Sequence, residues 1–413
     1  MNKTIVLIES QLFYYGYKVI DSLKKAGYNV VLVCRDLSIY VNPFSKIQSQ
    51  PLLSADFILK VETNCFEELS KKLLDVNKIY PISCIVTFSD YYLEITAKLC
   101  EFFELRGNSL ESICSTKNKA SQYLKVSNKG IIIPKTDVIN LSIDKYIKKE
   151  KIDYPVIIKP VSSSGSHLVK KISTYNEYKR YIQTLKHIET NERGQPFVKK
   201  YLVQEFIEGR EYSVEIFVEN SNIHILGFTS KELYSEDIFA EKLFSFPCND
   251  RGLYKPSTIK SINKVVNSLG IKYGCLHIEF KLTSDLKFVL IEANPRLGGR
   301  YISRMIKDVT GFDCFFESIL LLLQGENYVF PTLKKFDKGA AYNVLYPNND
   351  RKNRNINLKN LNINNSIEIF FVDQEKIRST IDNSDAIGYI YNFNSSALQA
   401  LNVVRKVEQK IYD

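Results

Sequence analysis

Two acidic residues lie in apolar segments near the middle of the chain, where an unpaired carboxylate is costly to bury. Glu279 belongs to the tetrapeptide His-Ile-Glu-Phe, and Glu292 belongs to Leu-Ile-Glu-Ala-Asn. Asn294 stands two residues beyond Glu292, so the two side chains point to the same face of an extended strand. Two carboxylates and an amide oxygen are hard oxygen ligands of the kind that Mg²⁺ prefers. The sequence leaves one alternative open, a pair of salt-bridged structural acids.

Basic side chains and a histidine flank these acids. Arg296 and Arg300 follow in Pro-Arg-Leu-Gly-Gly-Arg, and a guanidinium can hold a phosphate or a carboxylate through two parallel hydrogen bonds. His277 precedes Glu279 by two residues and shares its face of the strand. His277 is predicted to orient substrate or phosphate, with a packed strand histidine as the alternative.

A loop of small residues follows a lysine that ends an apolar run. The run Tyr-Pro-Val-Ile-Ile-Lys reads as a buried strand that delivers Lys159. Free backbone N–H groups beside small side chains can close over phosphate oxygens while the lysine neutralises their charge. The order GxxxxGK[ST] is absent, so the loop is not a P-loop, and a purely structural turn is the alternative. The loop residues predicted to contact phosphate are Ser163, Ser164, Gly165 and Ser166.

Residues 203–215 read as a strand, a sharp turn at Gly209 and a second strand. Such a hinge offers backbone groups to an adenine edge, and Glu211 is placed to accept hydrogen bonds from ribose hydroxyls. An ordinary β-hairpin with acidic residues is the alternative. The hinge residues predicted to face the adenine are Glu205, Phe206 and Ile207.

The elements that must position these residues fall into three parts. Residues 1–110 are predicted to form an open α/β domain, because apolar strand-like runs alternate with helical spacing. The predicted strands are 4–8, 30–34 and 84–88, and the predicted helices are 17–26, capped by Gly27, 66–74 and 93–103. The GxGxxG fingerprint does not follow the first strand, which excludes a nicotinamide enzyme of that type.

Residues 111–335 are predicted to be α+β, with antiparallel sheets and helices on one face. The predicted strands are 156–159, 202–206, 213–218, 223–228, 275–282 and 288–292. Residues 336–413 are predicted to form a small C-terminal α+β appendage. It contains strands 339–345, 367–372 and 388–394, a helix from Ser396 and an Asn-rich polar loop at 348–365.

The composition of the chain favours a globular protein and argues against several other classes. The chain has 413 residues, 45% hydrophobic and 25% charged, which fits two or three globular domains. Its net charge of +10 is scattered, so we expect no nucleic-acid partner. Eight cysteines show no CxxC and no metal-ligand spacing, which indicates free thiols in a reducing compartment. No signal peptide or membrane span is found, so we expect a cytoplasmic protein without a membrane partner.

Over residues 115 to 310, the order, spacing and types of these segments resemble the ATP-grasp superfamily. The resemblance implies an ATP-grasp fold with an N-terminal pre-ATP-grasp domain, a lid at about 122–202 and a small C-terminal domain. Asn118-Lys119 is similar to the family's opening Asp-Lys, which implies that Lys119 and Lys159 are its two phosphate-binding lysines. Asn118 departs from the commoner Asp.

The endings His-x-Glu-Phe and Asn-Pro-Arg look most like the bacterial L-amino-acid ligases and carnosine synthase. The segment 227–247 is similar to their substrate-side loop, with Lys231 at a position that carries Lys or Arg. The resemblance implies catalytic roles for Lys159, His277, Arg296 and Arg300. It implies substrate contacts for Lys231, His277, Arg296, Gly298, Gly299 and Arg300.

The resemblance also implies an activity. The cofactors would be ATP and Mg²⁺, with Mn²⁺ able to substitute, and the partners would be a small-molecule carboxylate and an amine. The two would be joined through an acyl phosphate, with release of ADP and phosphate, and L-amino acids or related metabolites are the expected substrates. A homodimer is left open. The alternatives are a ligase or carboxylase of the purine-pathway or carboxyphosphate type and a non-catalytic ATP-binding regulatory protein.

Overall fold

Three β-sheets build the described part of the chain. The computed structural model describes residues 2–10, 18–40, 54–143, 146–147, 151–235, 237–347, 367–371 and 383–412. The predicted Asn-rich loop at 348–365 lies outside these residues, as do Tyr17 at the start of the first predicted helix and Val372 at the end of a predicted strand.

The N-terminal sheet is parallel, with strand order β3-β2-β1-β4. Its strands are β1 (Thr4–Ile8), β2 (Asn29–Cys34), β3 (Phe57–Lys60) and β4 (Ile82–Val86), and its helices are α1 (Val19–Lys25), α2 (Phe66–Ile79) and α3 (Leu93–Phe102). Alternate residues of each strand point to opposite faces. Ile5 and Leu7 therefore pack towards α1, whereas Val6 and Ile8 pack towards α2 and α3.

The second sheet, called the lid sheet here, is antiparallel and has the order β5-β8-β6-β7. Two helices, α4 (Leu110–Lys117) and α5 (Lys119–Ser127), lead into it. Its elements are β5 (Thr136–Asn140), β6 (Val156–Pro160), β7 (Lys170–Ile172), α6 (Tyr175–Lys186) and β8 (Lys200–Glu205). These elements occupy most of the segment predicted to be the lid.

The central sheet has eight antiparallel strands in the order β13-β12-β9-β10-β11-β14-β16-β15. Its strands are β9 (Arg210–Glu219), β10 (Asn222–Leu233), β11 (Glu241–Phe246), β12 (Tyr273–Leu282), β13 (Phe288–Asn294), β14 (Gly339–Leu345), β15 (Ile367–Phe371) and β16 (Gly388–Asn394). The accompanying helices are α7 (Pro256–Leu269), α8 (Ile302–Thr310), α9 (Cys314–Gln324) and α10 (Ala397–Tyr412).

The predicted fold class is confirmed, since the N-terminal sheet is parallel and the two others are antiparallel. The strands after residue 336 do not form a sheet of their own, because β14 pairs with β11 and extends the central sheet. All eight cysteines are free, and six of them are buried.

Candidate active site

A cleft of about 650 Å³ lies where the three sheets meet. Its walls come from the carboxyl end of the N-terminal sheet, the lid sheet and the central sheet. Most of the predicted site residues line it. Those that do are Lys119, Lys159, Ser163, Ser164, Gly165, Ser166, Glu205, Phe206, Ile207, Glu211, His277, Glu279, Glu292, Arg296, Gly299 and Arg300. The three that stand behind the wall are Lys231, Asn294 and Gly298.

The two acids predicted as metal ligands are neighbours on adjacent strands. Glu279 of β12 pairs directly with Glu292 of β13, and a bulge follows at once. The side-chain amide nitrogen of Asn294 donates to Glu292 Oε1 at 2.8 Å. The amide oxygen of Asn294 is not used in that bond. The three side chains therefore lie close together, with Asn294 outside the residues that line the cleft, and their role as metal ligands stays a prediction.

The carboxylate of Glu292 is ionised although most of it is removed from water. Burial would raise its pKa, but Lys119 at 3.1 Å and the nearby Lys159 hold the pKa below its usual value against the additional effect of Glu279. An ionised carboxylate pair beside an amide oxygen is a hard donor set, so these residues fit Mg²⁺ completed by phosphate oxygens and water. Among the described residues, no group of three His, Cys, Asp or Glu side chains is arranged as a metal site.

Lys119 and Lys159 approach the acids from the lid side. Lys119 is the first residue of α5, where the Asn118 side chain caps the helix by accepting from the N–H groups of the second and third residues. Its ammonium donates to the Ser163 carbonyl at 2.9 Å as well as pairing with Glu292. Asparagine therefore serves as a helix cap in place of the commoner aspartate, and Lys119 still reaches the acids.

Lys159 is the buried lysine that β6 delivers into the cleft. Its ammonium donates to the Tyr123 hydroxyl at 3.2 Å and to the Ile291 carbonyl at 3.3 Å. Burial would lower its pKa, but Tyr123 and Glu292 outweigh burial and raise it. Lys159 is therefore charged at neutral pH and faces the same space as the acid pair.

The loop after Lys159 turns tightly and borders the cleft. Gly165, Ser166 and Leu168 adopt left-handed conformations with φ of 67°, 57° and 58°. Residues 163–167 line the cleft. A turn can group backbone N–H donors into a concavity that receives an anion. The N–H groups of His167 and Val169 already donate to the Ser164 and Ser166 carbonyls, so phosphate binding by this loop stays a prediction.

The hinge between β8 and β9 differs in detail from its prediction. The N–H of Glu205 donates to the Lys135 carbonyl at 3.0 Å, and the Ile207 carbonyl accepts from Lys281 Nζ at 2.9 Å. The ring of Phe206 lies 5.0 Å below that lysine's ammonium. Two backbone groups predicted to face an adenine are therefore already paired, and adenine recognition at this hinge stays a prediction.

Lys231 is a buried counter-ion rather than part of the cleft wall. Its side chain is 1% exposed, and its ammonium pairs with Glu211 at 3.1 Å, Glu241 at 2.7 Å and Glu279 at 3.1 Å. Burial would raise the pKa of Glu279, but Lys231 and then His277 hold it well below its usual value. Lys231 thus keeps one proposed metal ligand ionised and fixes the acid predicted to face ribose.

His277 lies between two carboxylates. Its Nδ1 is 3.0 Å from both oxygens of Glu215, and its Nε2 is 3.0 Å from Glu279 Oε1. Burial would lower its pKa, but Glu215 and Glu279 raise it to about 9. A Cβ at Gly298 would stand 2.7 Å from Ile302 and 3.0 Å from Glu215, so Gly298 serves packing behind the cleft.

The two arginines predicted as clamps are both engaged. Arg296 Nε pairs with Asp90 of the N-terminal domain at 2.5 Å. Arg300, with φ of 55°, donates to the Tyr389 hydroxyl at 2.5 Å and to the Asn383 carbonyl at 2.8 Å. Both side chains still border the cleft, so each joins the cleft to another part of the molecule.

Sequence reasoning missed several residues of this site. Glu215, an acid in an apolar strand, carries the same signal that identified Glu279. Asp90 and Tyr91 follow β4 at the carboxyl edge of a parallel sheet, where ligands commonly bind. Tyr389 reaches the cleft because β16 pairs with the distant β14, and Asn383 lies in the short turn before β16. Such long-range pairing leaves no local signal in the sequence.

Comparison with known proteins finds a matching family profile and related sequences. Residues 152–304 match the family profile described as "ATP-grasp domain". The chain is 24% identical over 262 residues to alanine–anticapsin ligase of Bacillus amyloliquefaciens, covering 60% of this chain and 55% of that protein. The chain spans 55–64% of the length of the curated relatives that it matches first.

Solved structures share the fold over nearly the whole chain. The L-amino acid ligase from Bacillus licheniformis superposes with a TM-score of 0.75 at 17% identity, covering 99% of this chain and 98% of that one. The N5-carboxyaminoimidazole synthetase from Staphylococcus aureus, complexed with ADP, gives a TM-score of 0.72 at 14% identity, with 99% and 98% covered. Within the described residues, no helix is long and apolar enough to cross a membrane.

Proposed function

Because this chain carries an ATP-grasp domain, we propose that it is an ATP- and Mg²⁺-dependent carboxylate–amine ligase, with Mn²⁺ able to replace Mg²⁺. A carboxylate oxygen of the first substrate attacks the γ-phosphorus, and ADP leaves. The amine nitrogen of the second substrate then attacks the acyl carbon, and phosphate leaves. The observation that carries the proposal is the ionised Glu279–Glu292 pair, which shares one cleft with Lys119 and Lys159.

The acids would hold the metal, and the lysines would hold the phosphates. Bound Mg²⁺–ATP supplies the phosphoryl group and spreads its developing negative charge. Glu279 and Glu292 offer ionised oxygens, and Asn294 offers its amide oxygen from behind. Lys119 and Lys159 place fixed positive charge beside the transferring group, which a low-dielectric cleft makes more effective.

The lid and the Ser/Gly loop would exclude water from the reacting atoms. An acyl phosphate is hydrolysed if water reaches it, so the cleft must close before the carboxylate is activated. Lys119 ties the loop to the body through the Ser163 carbonyl. The amine then needs only orientation, which can contribute about 7–11 kcal/mol to the second step.

The substrates would enter at the end of the cleft bordered by Arg296, Gly299 and Arg300. His277 lines this wall, while Lys231 and Gly298 support it from behind. The relatives are named as alanine–anticapsin ligase and L-amino acid ligase, which supports L-amino acids or related metabolites as the substrates.

The proposal is tested by phosphate release from ATP and Mg²⁺, screened against pairs of L-amino acids with mass spectrometry on each positive pair. We expect release that requires two amino acids and a product lighter than their sum by one water. If every pair is silent while ATP still binds, the amino-acid ligase is contradicted.

A second candidate is a carboxylase or ligase of the carboxyphosphate type, which the likeness to N5-carboxyaminoimidazole synthetase supports. Bicarbonate distinguishes the two. Phosphate release that requires bicarbonate and ignores amino acids would favour this candidate. ATP binding without any substrate-dependent release would favour a regulatory protein.

We also propose where the protein is located in the cell and how many copies of the chain assemble. Eight free cysteines, six of them buried, suit a reducing cytoplasmic compartment. A homodimer is the assembly proposed, and sedimentation of the purified chain tests it.

A further inference from the structure

The lid touches the N-terminal domain through a short turn between α6 and β8. This turn, residues 191–195, is called the lid turn here. Asn191 organises it, because its side-chain oxygen accepts from the N–H groups of Arg193 at 2.9 Å and Gln195 at 3.1 Å. The backbone N–H groups of Asn191 and Gly194 close the turn through further hydrogen bonds at 3.0 and 2.9 Å. Its shape is therefore fixed by its own hydrogen bonds.

The lid turn is bonded to two residues of the N-terminal domain. Gln195 Nε2 donates to Asn64 Oδ1 at 2.9 Å and to the Tyr91 carbonyl at 3.0 Å. Asn64 Nδ2 donates in return to the Arg193 carbonyl at 3.0 Å. The Tyr91 hydroxyl donates to the carboxylate of Glu192. These bonds join segments more than a hundred residues apart in sequence.

Tyr91 also borders the phosphate side of the cleft. The Ser164 hydroxyl of the Ser/Gly loop lies 3.4 Å from the Tyr91 hydroxyl. The preceding residue, Asp90, pairs with Arg296 at 2.5 Å. Asp90 and Tyr91, in the short turn between β4 and α3, thus contact the lid turn, the phosphate loop and the arginine that follows the proposed metal ligands.

We propose that the lid turn, Asn64 and Tyr91 form a latch that keeps the lid shut until the amine has attacked. This inference rests on the proposed function. Gln195 and Asn64 do not line the cleft, so both are positioning residues that act through the lid. With the lid open, water attacks the acyl phosphate, the carboxylate is regenerated and phosphate leaves. The net reaction is then hydrolysis of ATP to ADP and phosphate.

Three of the four latch bonds, those made by Gln195 and Asn64, are neutral and partly buried, which suits such a latch. Each one contributes modestly, so the contact can break at every turnover to let product leave. A buried apolar contact of the same size would hold the lid more permanently. Weakening the latch should therefore let more ATP be cleaved without formation of product.

The first test is the ratio of phosphate released to amide product formed. Gln195→Ala removes the donor to Asn64 and to the Tyr91 carbonyl. The excess of this ratio over one should then rise by at least about fivefold, the factor that one lost hydrogen bond of about 1 kcal/mol gives in an equilibrium. Asn64→Ala removes the opposite partner and should act the same way. Gln183→Ala makes the same chemical change on the exposed outer face of α6 and should leave the ratio at one.

The second test needs no turnover. Trypsin cleaves after Arg193, whose carbonyl is held by Asn64 in the latch. With ATP and Mg²⁺ bound, Gln195→Ala and Asn64→Ala should be cut there several-fold faster than the parent chain and Gln183→Ala. If the unmodified chain forms no product, the proposed function is contradicted. The rate of trypsin cleavage then still tests whether the latch holds the lid. An unchanged ratio together with an unchanged cleavage rate would overturn the latch.

Discussion

Lys231 is the shared positive charge for three acidic side chains on one side of the cleft. Its single ammonium is surrounded by the carboxylates of Glu211, Glu241 and Glu279, and its side chain is 1% exposed. A buried charge is tolerated when it is paired and hydrogen-bonded, and removal of one partner leaves the others uncompensated. Lys231 therefore supports stability and the ionisation of a proposed metal ligand at the same time.

Lys231→Met should destabilise the protein by about 3–5 kcal/mol, because three partly buried carboxylates lose the buried cation that they share. Urea unfolding followed by circular dichroism measures this loss. Lys78→Met is the matched control, since Lys78 is 75% exposed and pairs with Asp75 at the surface. Equal midpoints for both variants would show that Lys231 is not the counter-ion described here.

Glu292→Gln should reduce substrate-dependent phosphate release by about 100-fold or more, because the amide cannot supply the charge of a metal ligand. The fold should persist, since the two side chains have the same shape. Phosphate release and circular dichroism measure the two outcomes. Glu111→Gln, at a side chain that is 89% exposed, is the control. Retained activity in Glu292→Gln would remove this residue from the metal site.

The sequence predicted single residues where burial makes a polar side chain expensive. A charged side chain in an apolar strand predicts either a functional role or a partner of opposite charge. This pattern identified Glu279, Glu292 and Lys159. The partners themselves could not be predicted. Lys231 contacts its three acids, and Arg296 contacts Asp90, only because folding brings separate segments of the chain together.

At the scale of elements, the turn between β13 and α8 is packed so tightly that one of its positions leaves no room for a side chain. It follows the proposed metal ligands and carries two adjacent glycines, and the first of them packs against the start of α8 and the buried Glu215. The turn thus fixes the distance between the end of β13 and the start of α8. The position of Arg300, which lies in this turn, depends on that distance.

Gly298→Ala should cost about 1–3 kcal/mol of stability, because its Cβ would stand 2.7 Å from Ile302 in a packed environment. Thermal unfolding of the purified variant measures the loss. Gly299→Ala is the control for stability, since a Cβ there meets no atom within 4 Å. A Gly298→Ala protein as stable as Gly299→Ala would contradict the packing described.

Elements were predicted well where the pattern is long and apolar. The boundaries of β14 and β16 were predicted to the residue, whereas β4 was placed two residues too late and α2 was ended five residues too early. The strands β3, β5, β7 and β11 were missed. The first three are short edge strands with exposed residues, whereas β11 lies inside the central sheet. Edge strands bury little, so the hydrophobic pattern carries little information about them.

At the scale of the whole molecule, the last strands belong to the core that holds the site. β14 pairs with β11 along four residues, and α10 covers these strands with Ala400, Val404 and Ile411. Asn383 and Tyr389 from the same part hold Arg300 at the cleft. Short-range patterns gave no indication of this pairing, because a strand's neighbours in a sheet are set by tertiary contacts.

A chain truncated after residue 335 should therefore fail to fold into a soluble, active protein. The truncation removes β14, exposes the edge of β11 and uncovers Leu243, which packs beneath α10. Expression followed by gel filtration and phosphate release tests this expectation. A monodisperse, active fragment of residues 1–335 would show that the C-terminal part is an independent appendage.

The central claim is that the chain activates a carboxylate by transferring phosphate to it. The most direct measurement uses a first substrate labelled with ¹⁸O in its carboxylate, with ATP, Mg²⁺ and the amine, and analyses the released phosphate by mass spectrometry. Because the carboxylate oxygen that attacks the γ-phosphorus leaves with the phosphate, the account predicts one ¹⁸O atom in each phosphate released. Unlabelled phosphate released together with amide product would contradict it.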